Sequence, residues 1–186
     1  MSDKSKGDFA TNSEYKIDAH LGTHIDAPLH HIPGGKTTEE IELTKLYGPC
    51  SIIDFSNLKI ISARDLDEKL DKNPHLKQLR YLFKTANSSL LEYESQFFHK
   101  DYVALDKSAA KWLVDNGAVL AGIDYYSIQL FDDPPDVHEI LLANEIVILE
   151  TINLFRVHEG VYNLLCLPIK ISGLEGIHCR AVLQEI

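Results

Sequence analysis

Between residues 15 and 30 the chain alternates. Odd positions carry Tyr15, Ile17, Ala19, Leu21, Thr23, Ile25, Ala27 and Leu29, while even positions carry Lys16, Asp18, His20, Gly22, His24, Asp26, Pro28 and His30. A period of two is that of an extended backbone with one apolar face turned to a core. It predicts a strand over residues 15–21 that leads into a polar, histidine-rich face. The alternation outruns one ordinary strand of about five to six residues. A bend is therefore expected at Gly22 or at Pro28, whose missing N–H cannot serve a ladder.

Further along, Thr37 and Glu40 have capping-box spacing and predict a short helix to about residue 46, closed by Tyr47, Gly48 and Pro49. Apolar runs predict strands over residues 50–56, 79–83, 101–105, 118–123 and 146–149, and later over 161–167 and 179–183, with a turn at 173–176. Ser62 opens a helix carrying Leu66 and Leu70, Asp106 caps one through Trp112 to Asn116 and Gly117, and a third runs from His138 to about Asn144. Residues 84–89 are a polar stretch that borders a site or, the commoner case, is a surface loop, and residues 1–14 read as a loop or frayed terminus. Irregular alternation of strands and helices favours an α/β mixed-sheet sandwich over a regular parallel barrel.

The 186 residues fit one domain, spanning 1–186. No apolar run approaches the roughly eighteen residues of a membrane span, and the polar first residues lack the apolar core of a signal peptide. A cytoplasmic location and no membrane partner are the expectation. A formal charge of -10 without Lys/Arg clusters argues against nucleic acid or anionic lipid as partners. Cys50, Cys166 and Cys179 are odd in number and far apart, which predicts reduced, buried thiols.

Against this background the polar face stands out. An extended backbone puts His20, His24, Asp26 and His30 on one side, and a bend would gather them. Imidazole nitrogens with a carboxylate suit a borderline divalent ion such as zinc, and manganese accepts the same ligands. A carboxylate can also bridge two ions. Leu21 stands where a helical H-E-x-x-H site would need its glutamate, which argues against that arrangement. A second cluster is suggested at Glu150, an acid at the end of a buried apolar strand, twelve residues after His138. Asp124, at the end of another such strand, is read as structural. His75, His99, His158 and His178 read as surface residues, and His31 adjoins the motif.

The string H-x-G-T-H-x-D-x-P-x-H from His20 to His30, followed by Gly34 and Gly35, closely resembles the signature of the cyclase-like metal-dependent hydrolases. That family includes bacterial kynurenine formamidase and isatin hydrolase. The match extends through Gly122, Asp124 and Ser127, through His138 with Leu141 and Leu142, and through Glu150 followed by Asn153 and Leu154. The resemblance implies the swivelling β/β/α fold and one or two divalent ions per chain, with zinc expected ahead of manganese. It places His20, His24 and Asp26 on a first ion, Asp26 bridging, and His138 and Glu150 on a second, Glu150 again touching both. His30 would be the proton donor and acceptor. It implies hydrolysis of an amide-type C–N bond in a small molecule, N-formylkynurenine or a cyclic amide or ester, by a homo-oligomer, a dimer or tetramer. Only nineteen residues precede His20, fewer than the family carries, and no Trp-Pro-Gly loop occurs. Residues 1–14 could form a substitute wall, or another subunit could supply one.

Overall fold

The computed structural model describes residues 1–94 and 97–186. Its strands are β1 (His24–Asp26), β2 (Tyr47–Asp54), β3 (Arg80–Lys84), β4 (Leu120–Ile123), β5 (Val147–Glu150), β6 (Gly160–Leu165), β7 (Gly176–His178) and β8 (Val182–Glu185). Among the described residues they form one mixed sheet in the order β7-β1-β5-β4-β3-β2-β6-β8. The middle four strands, β2 to β5, run parallel. β1 is antiparallel to both β5 and β7, and β6 is antiparallel to both β2 and β8.

Helices α1 (Ala63–Lys72), α2 (Asn87–Glu94), α3 (Lys107–Asp115) and α4 (Asp136–Ala143) lie in the connections between the parallel strands. On one sheet face Leu66 and Leu70 of α1, Trp112 and Leu113 of α3 and Leu141 of α4 bury Tyr81, Phe83, Ala121, Ile123 and Ile148. On the other face Ile25, Ile52, Leu82, Leu120, Leu149 and Leu164 pack under Ile41, Leu46, Ile152 and Leu154. Coverage on both sides explains why β4 and β5 read as unbroken apolar runs and not as alternations. The helix starts are set locally. Ser62 and Asp65 form a reciprocal capping box on α1, and the Asp106 carboxylate accepts the Ala109 N–H on α3, caps worth about 1 kcal/mol each. No described helix is long and apolar enough to cross a membrane.

Four expectations are corrected. Residues 15–21 are not a strand: Tyr15, Ile17 and Leu21 are 76%, 45% and 56% exposed, because β5 and β7 flank the chain only from residue 24. The expected bend occurs at both places, with Gly22 at φ +75° and Pro28 opening a 3-10 turn. Residues 38–45 form two 3-10 turns, Thr38–Glu40 and Leu43–Lys45, separated by an extended Ile41, although the Thr37–Glu40 capping box is made. Residues 84–89 are no surface loop. Thr85, Asn87 and Ser88 are buried, since the Asp124 carboxylate accepts the backbone N–H and hydroxyl of both Thr85 and Ser88 at the start of α2. Finally, residues 101–105 are extended without forming a named strand. Leu105 bridges Ile61 and Gln129, and the Asn87 carboxamide binds the Val103 backbone at both its N–H and its carbonyl.

Candidate metal centre

β1 is where the sheet assembles the site. In the β1–β5 register His24 lies opposite Glu150, and in the β1–β7 register Asp26 lies opposite Gly176. Directly opposed residues of antiparallel strands share a face, so His24, Asp26 and Glu150 converge without any loop. All three are buried. Thr151 then takes φ +55°, uncommon for a β-branched residue, and turns the chain away. Its N–H donates to the Tyr125 carbonyl at 2.8 Å, and its own carbonyl accepts the Thr23 hydroxyl at 2.7 Å.

The other imidazoles come from turns. The His20 N–H is held by the Asp18 carboxylate at 2.9 Å, and its ring lies over Gly176, where an added Cβ would fall 2.4 Å from the ring. The Pro28–His30 turn carries His30, whose ring stacks on His20 at 4.1 Å between centroids. Gly35 lets the loop close on that turn, since a Cβ there would meet the Pro28 carbonyl carbon at 2.8 Å. His138 enters from the first turn of α4.

The distances are short. His20 Nδ1 is 3.0 Å and His24 Nε2 3.3 Å from the same Asp26 oxygen, His24 Nε2 is 3.5 Å from Glu150, and His138 Nε2 is 3.2 Å from the other Glu150 oxygen. Two sets of three donors have ligand atoms within 4.8 Å of one another: His24, Asp26 and Glu150, and His20, Asp26 and His30. Asp26 belongs to both. The structure thus brings together all six residues singled out by the sequence. His24 lies beside Glu150, the acid that the resemblance puts on both ions, and His30 lies beside His20.

Electrostatics follow from the crowding. Burial opposes charge on His24, but the close contact and charge of Asp26, and then the charge of Glu150, raise it to about 9. Burial pushes Asp26 up, yet close contact with the His20 and His24 imidazoles outweighs this and holds its carboxyl well below the usual range. His20 and His138 are likewise raised, against burial, by Asp26 and by Glu150 respectively. His30 goes the other way, to about 4. Burial and the neighbouring His20, His31 and His138 outweigh Asp26.

The donor set fits a cation. His24 Nδ1 lies 2.7 Å from the Gly22 carbonyl and can only donate to it, so that in the neutral ring the Nε2 lone pair faces two carboxylates. His24 Nε2 and both Asp26 oxygens are buried without a well-aligned hydrogen bond, a costly state unless a positive charge sits among them, and His20 Nε2 has only the Glu175 carboxylate, 3.3 Å away.

Sequence reasoning missed three contributors. Gly176, which reads as a turn residue, is the floor under His20. Gln129, in an unremarkable stretch, contacts His138. His31, noted only for its position, stacks on His138 at 4.7 Å. His99 and His178 are half-buried and not surface residues, His178 because β7 sets it opposite His24.

A buried histidine and carboxylate cluster at one end of a mixed α/β sheet defines a centre of the kind that holds divalent metal. The family model described as "Putative cyclase" matches residues 3–129. The chain belongs to this cyclase family. It is 33% identical to cyclase-like protein 1 of Arabidopsis thaliana, over 95% of this chain and 71% of that one. It is 34% identical to a kynurenine formamidase of Bacillus cereus, over 91% and 78% of the two chains. A solved structure described as a potential metal-dependent hydrolase with cyclase activity superposes with a TM-score of 0.80 at 33% identity, covering 90% of this chain and 80% of that one.

Proposed function

We propose that this chain is a metal-dependent hydrolase of amide-type C–N bonds, acting on formylated aromatic amines such as N-formylkynurenine. The observation that carries the reading is Asp26: fully buried, shared by both donor sets, with both oxygens lacking well-aligned hydrogen bonds. The Bacillus cereus formamidase supports the substrate class by similarity.

His20, His24, Asp26, His138 and Glu150 would hold one or two ions, zinc ahead of manganese. A bound ion supplies Lewis acidity, making water more acidic and a carbonyl more electrophilic. His30 supplies the proton transfers. Its depressed pKa keeps the imidazole neutral at working pH, ready to take a proton from the attacking water and return it to the leaving nitrogen. The carbonyl carbon gains the water oxygen, the C–N bond breaks, and a carboxylic acid and an amine leave. The protein acts on a small molecule in the cytoplasm, with neither nucleic acid nor membrane as partner, as a homo-oligomer.

The test is elemental analysis of chain purified without chelator, joined to assays on N-formylkynurenine, cyclic amides and lactones. One or two equivalents of metal with formamide hydrolysis are expected. Turnover of cyclic amides or lactones alone would replace the substrate class, and bound metal with no turnover would mark a non-catalytic metal-binding relative. Absence of metal after reconstitution with zinc or manganese would overturn the proposal.

A further inference from the structure

His138 sits in the first turn of α4, where Pro135 at the cap position offers no side-chain acceptor. Gln129 supplies one from outside the helix. Its Oε1 accepts the N–H of Val137 at 3.1 Å and of His138 at 3.4 Å, and lies 3.4 Å from His138 Nδ1. The other end of the carboxamide settles which atom is the oxygen, because Nε2 donates to the Asp133 carbonyl at 3.3 Å. Gln129 is itself buried and anchored. Its N–H donates to the Ser127 hydroxyl at 3.2 Å, and its carbonyl accepts the Tyr102 hydroxyl. The preceding residue, Ile128, donates its N–H to Glu150 Oε1 at 2.7 Å. Two consecutive residues therefore hold His138 and Glu150, and the His31 ring covers one face of His138.

An amide oxygen can only accept. His138 must present Nδ1–H to it, and in the neutral ring the lone pair then lies on Nε2, the nitrogen 3.2 Å from Glu150. We propose that Gln129 is a positioning residue of the metal centre, fixing the tautomer and ring orientation in which His138 offers Nε2 to an ion beside Glu150. This rests on the metal reading above. Outer partners of this kind tune ligand basicity and orientation.

Two variants separate this role from simple helix capping. Gln129→Met keeps the size and removes the acceptor, while Gln129→Glu keeps the acceptor. Zinc is titrated into each metal-free protein against a chromophoric chelator, and the His138 Nδ1–H is followed by 15N-edited NMR in the zinc-loaded protein. Gln129→Met is expected to lose affinity by about 10- to 100-fold and to lose the exchange-protected Nδ1–H, and Gln129→Glu to keep both. Equal zinc affinity in all three proteins, with only the melting temperature lowered, would reduce Gln129 to a cap and overturn the proposal. If Gln129→Met does not fold, the unmodified chain decides: a rapidly exchanging Nδ1–H, or zinc on Nδ1, overturns it. Absence of zinc binding in the unmodified chain would instead overturn the metal reading, and this proposal with it.

Discussion

His24 and Glu150 face each other across the β1–β5 ladder, His24 Nε2 being 3.5 Å from a carboxylate oxygen, and Asp26 joins them from two residues along the same strand. Three donors thus ride on hydrogen-bonded strands in the core, while His20 and His30 come from turns. A strand-borne set is rigid before any ion arrives, and preorganisation of this kind raises affinity by removing the cost of ordering.

Replacing a strand-borne donor should therefore abolish metal binding without dismantling the sheet. His24→Ala and Asp26→Asn are each expected to lose affinity beyond the roughly 10- to 100-fold that loss of an outer partner costs. Elemental analysis gives the metal content, and circular dichroism the fold. Metal retained at the unmodified level in Asp26→Asn would count against Asp26 as the shared ligand.

His30 separates chemistry from binding. His30→Ala is expected to keep metal and to lower kcat by about 10²- to 10⁴-fold, the usual worth of a positioned acid-base group. Because its ring also lies within the His20 and Asp26 donor set, metal content must be measured on the same sample. Loss of one equivalent would make His30 a ligand, and native turnover would remove it from the proton path.

Much of this site was legible in the sequence, for a physical reason. Period-two spacing keeps His20, His24, Asp26 and His30 on one side of an extended chain whatever it pairs with, and Gly22 and Pro28 could be read as bends from their backbone chemistry. The supposed strand at residues 15–21 was not legible, since alternation reports a face and not the presence of a neighbour to cover it. The register that sets His24 against Glu150 was hidden as well, being a long-range pairing across more than a hundred residues of chain. Gln129 and Gly176 carried no signal because each acts by touching a residue far away in sequence.

The metal-free protein should show a defined pH dependence. His24, raised to about 9 against an unfolded value near 6.5, contributes stability that is complete below about pH 6.5 and lost as pH rises through 9. Asp26, held low, contributes stability present above about pH 4 and lost in acid. This pair therefore favours the metal-free fold most between those limits, and each kcal/mol withdrawn above them lowers Tm by about 2–4 °C in a chain of this size. Metal competes with the His24 proton, so the Tm increment from added zinc should grow across the interval from pH 6.5 to 9. Thermal melts with chelator and with zinc check both. An increment that is flat across it would mean that His24 carries no proton for the ion to displace.

Gly176→Ala probes the floor of the site. A methyl there would fall 2.4 Å from His20 Cε1 and 2.7 Å from Nε2, so either the ring or β7 must move. Overpacking of this kind costs about 1–3 kcal/mol when the backbone has to absorb it. If the ring moves instead, His20 leaves Asp26 and metal affinity falls while stability changes little. Adding His20→Ala distinguishes the two. When the methyl acts only through the ring, Gly176→Ala has no further effect on zinc affinity or Tm in the His20→Ala background; when β7 itself is displaced, the stability loss persists. Melting temperature and zinc affinity across this double-mutant cycle give the coupling directly, and a cycle with no coupling would show that the His20 ring does not rest on Gly176 in solution.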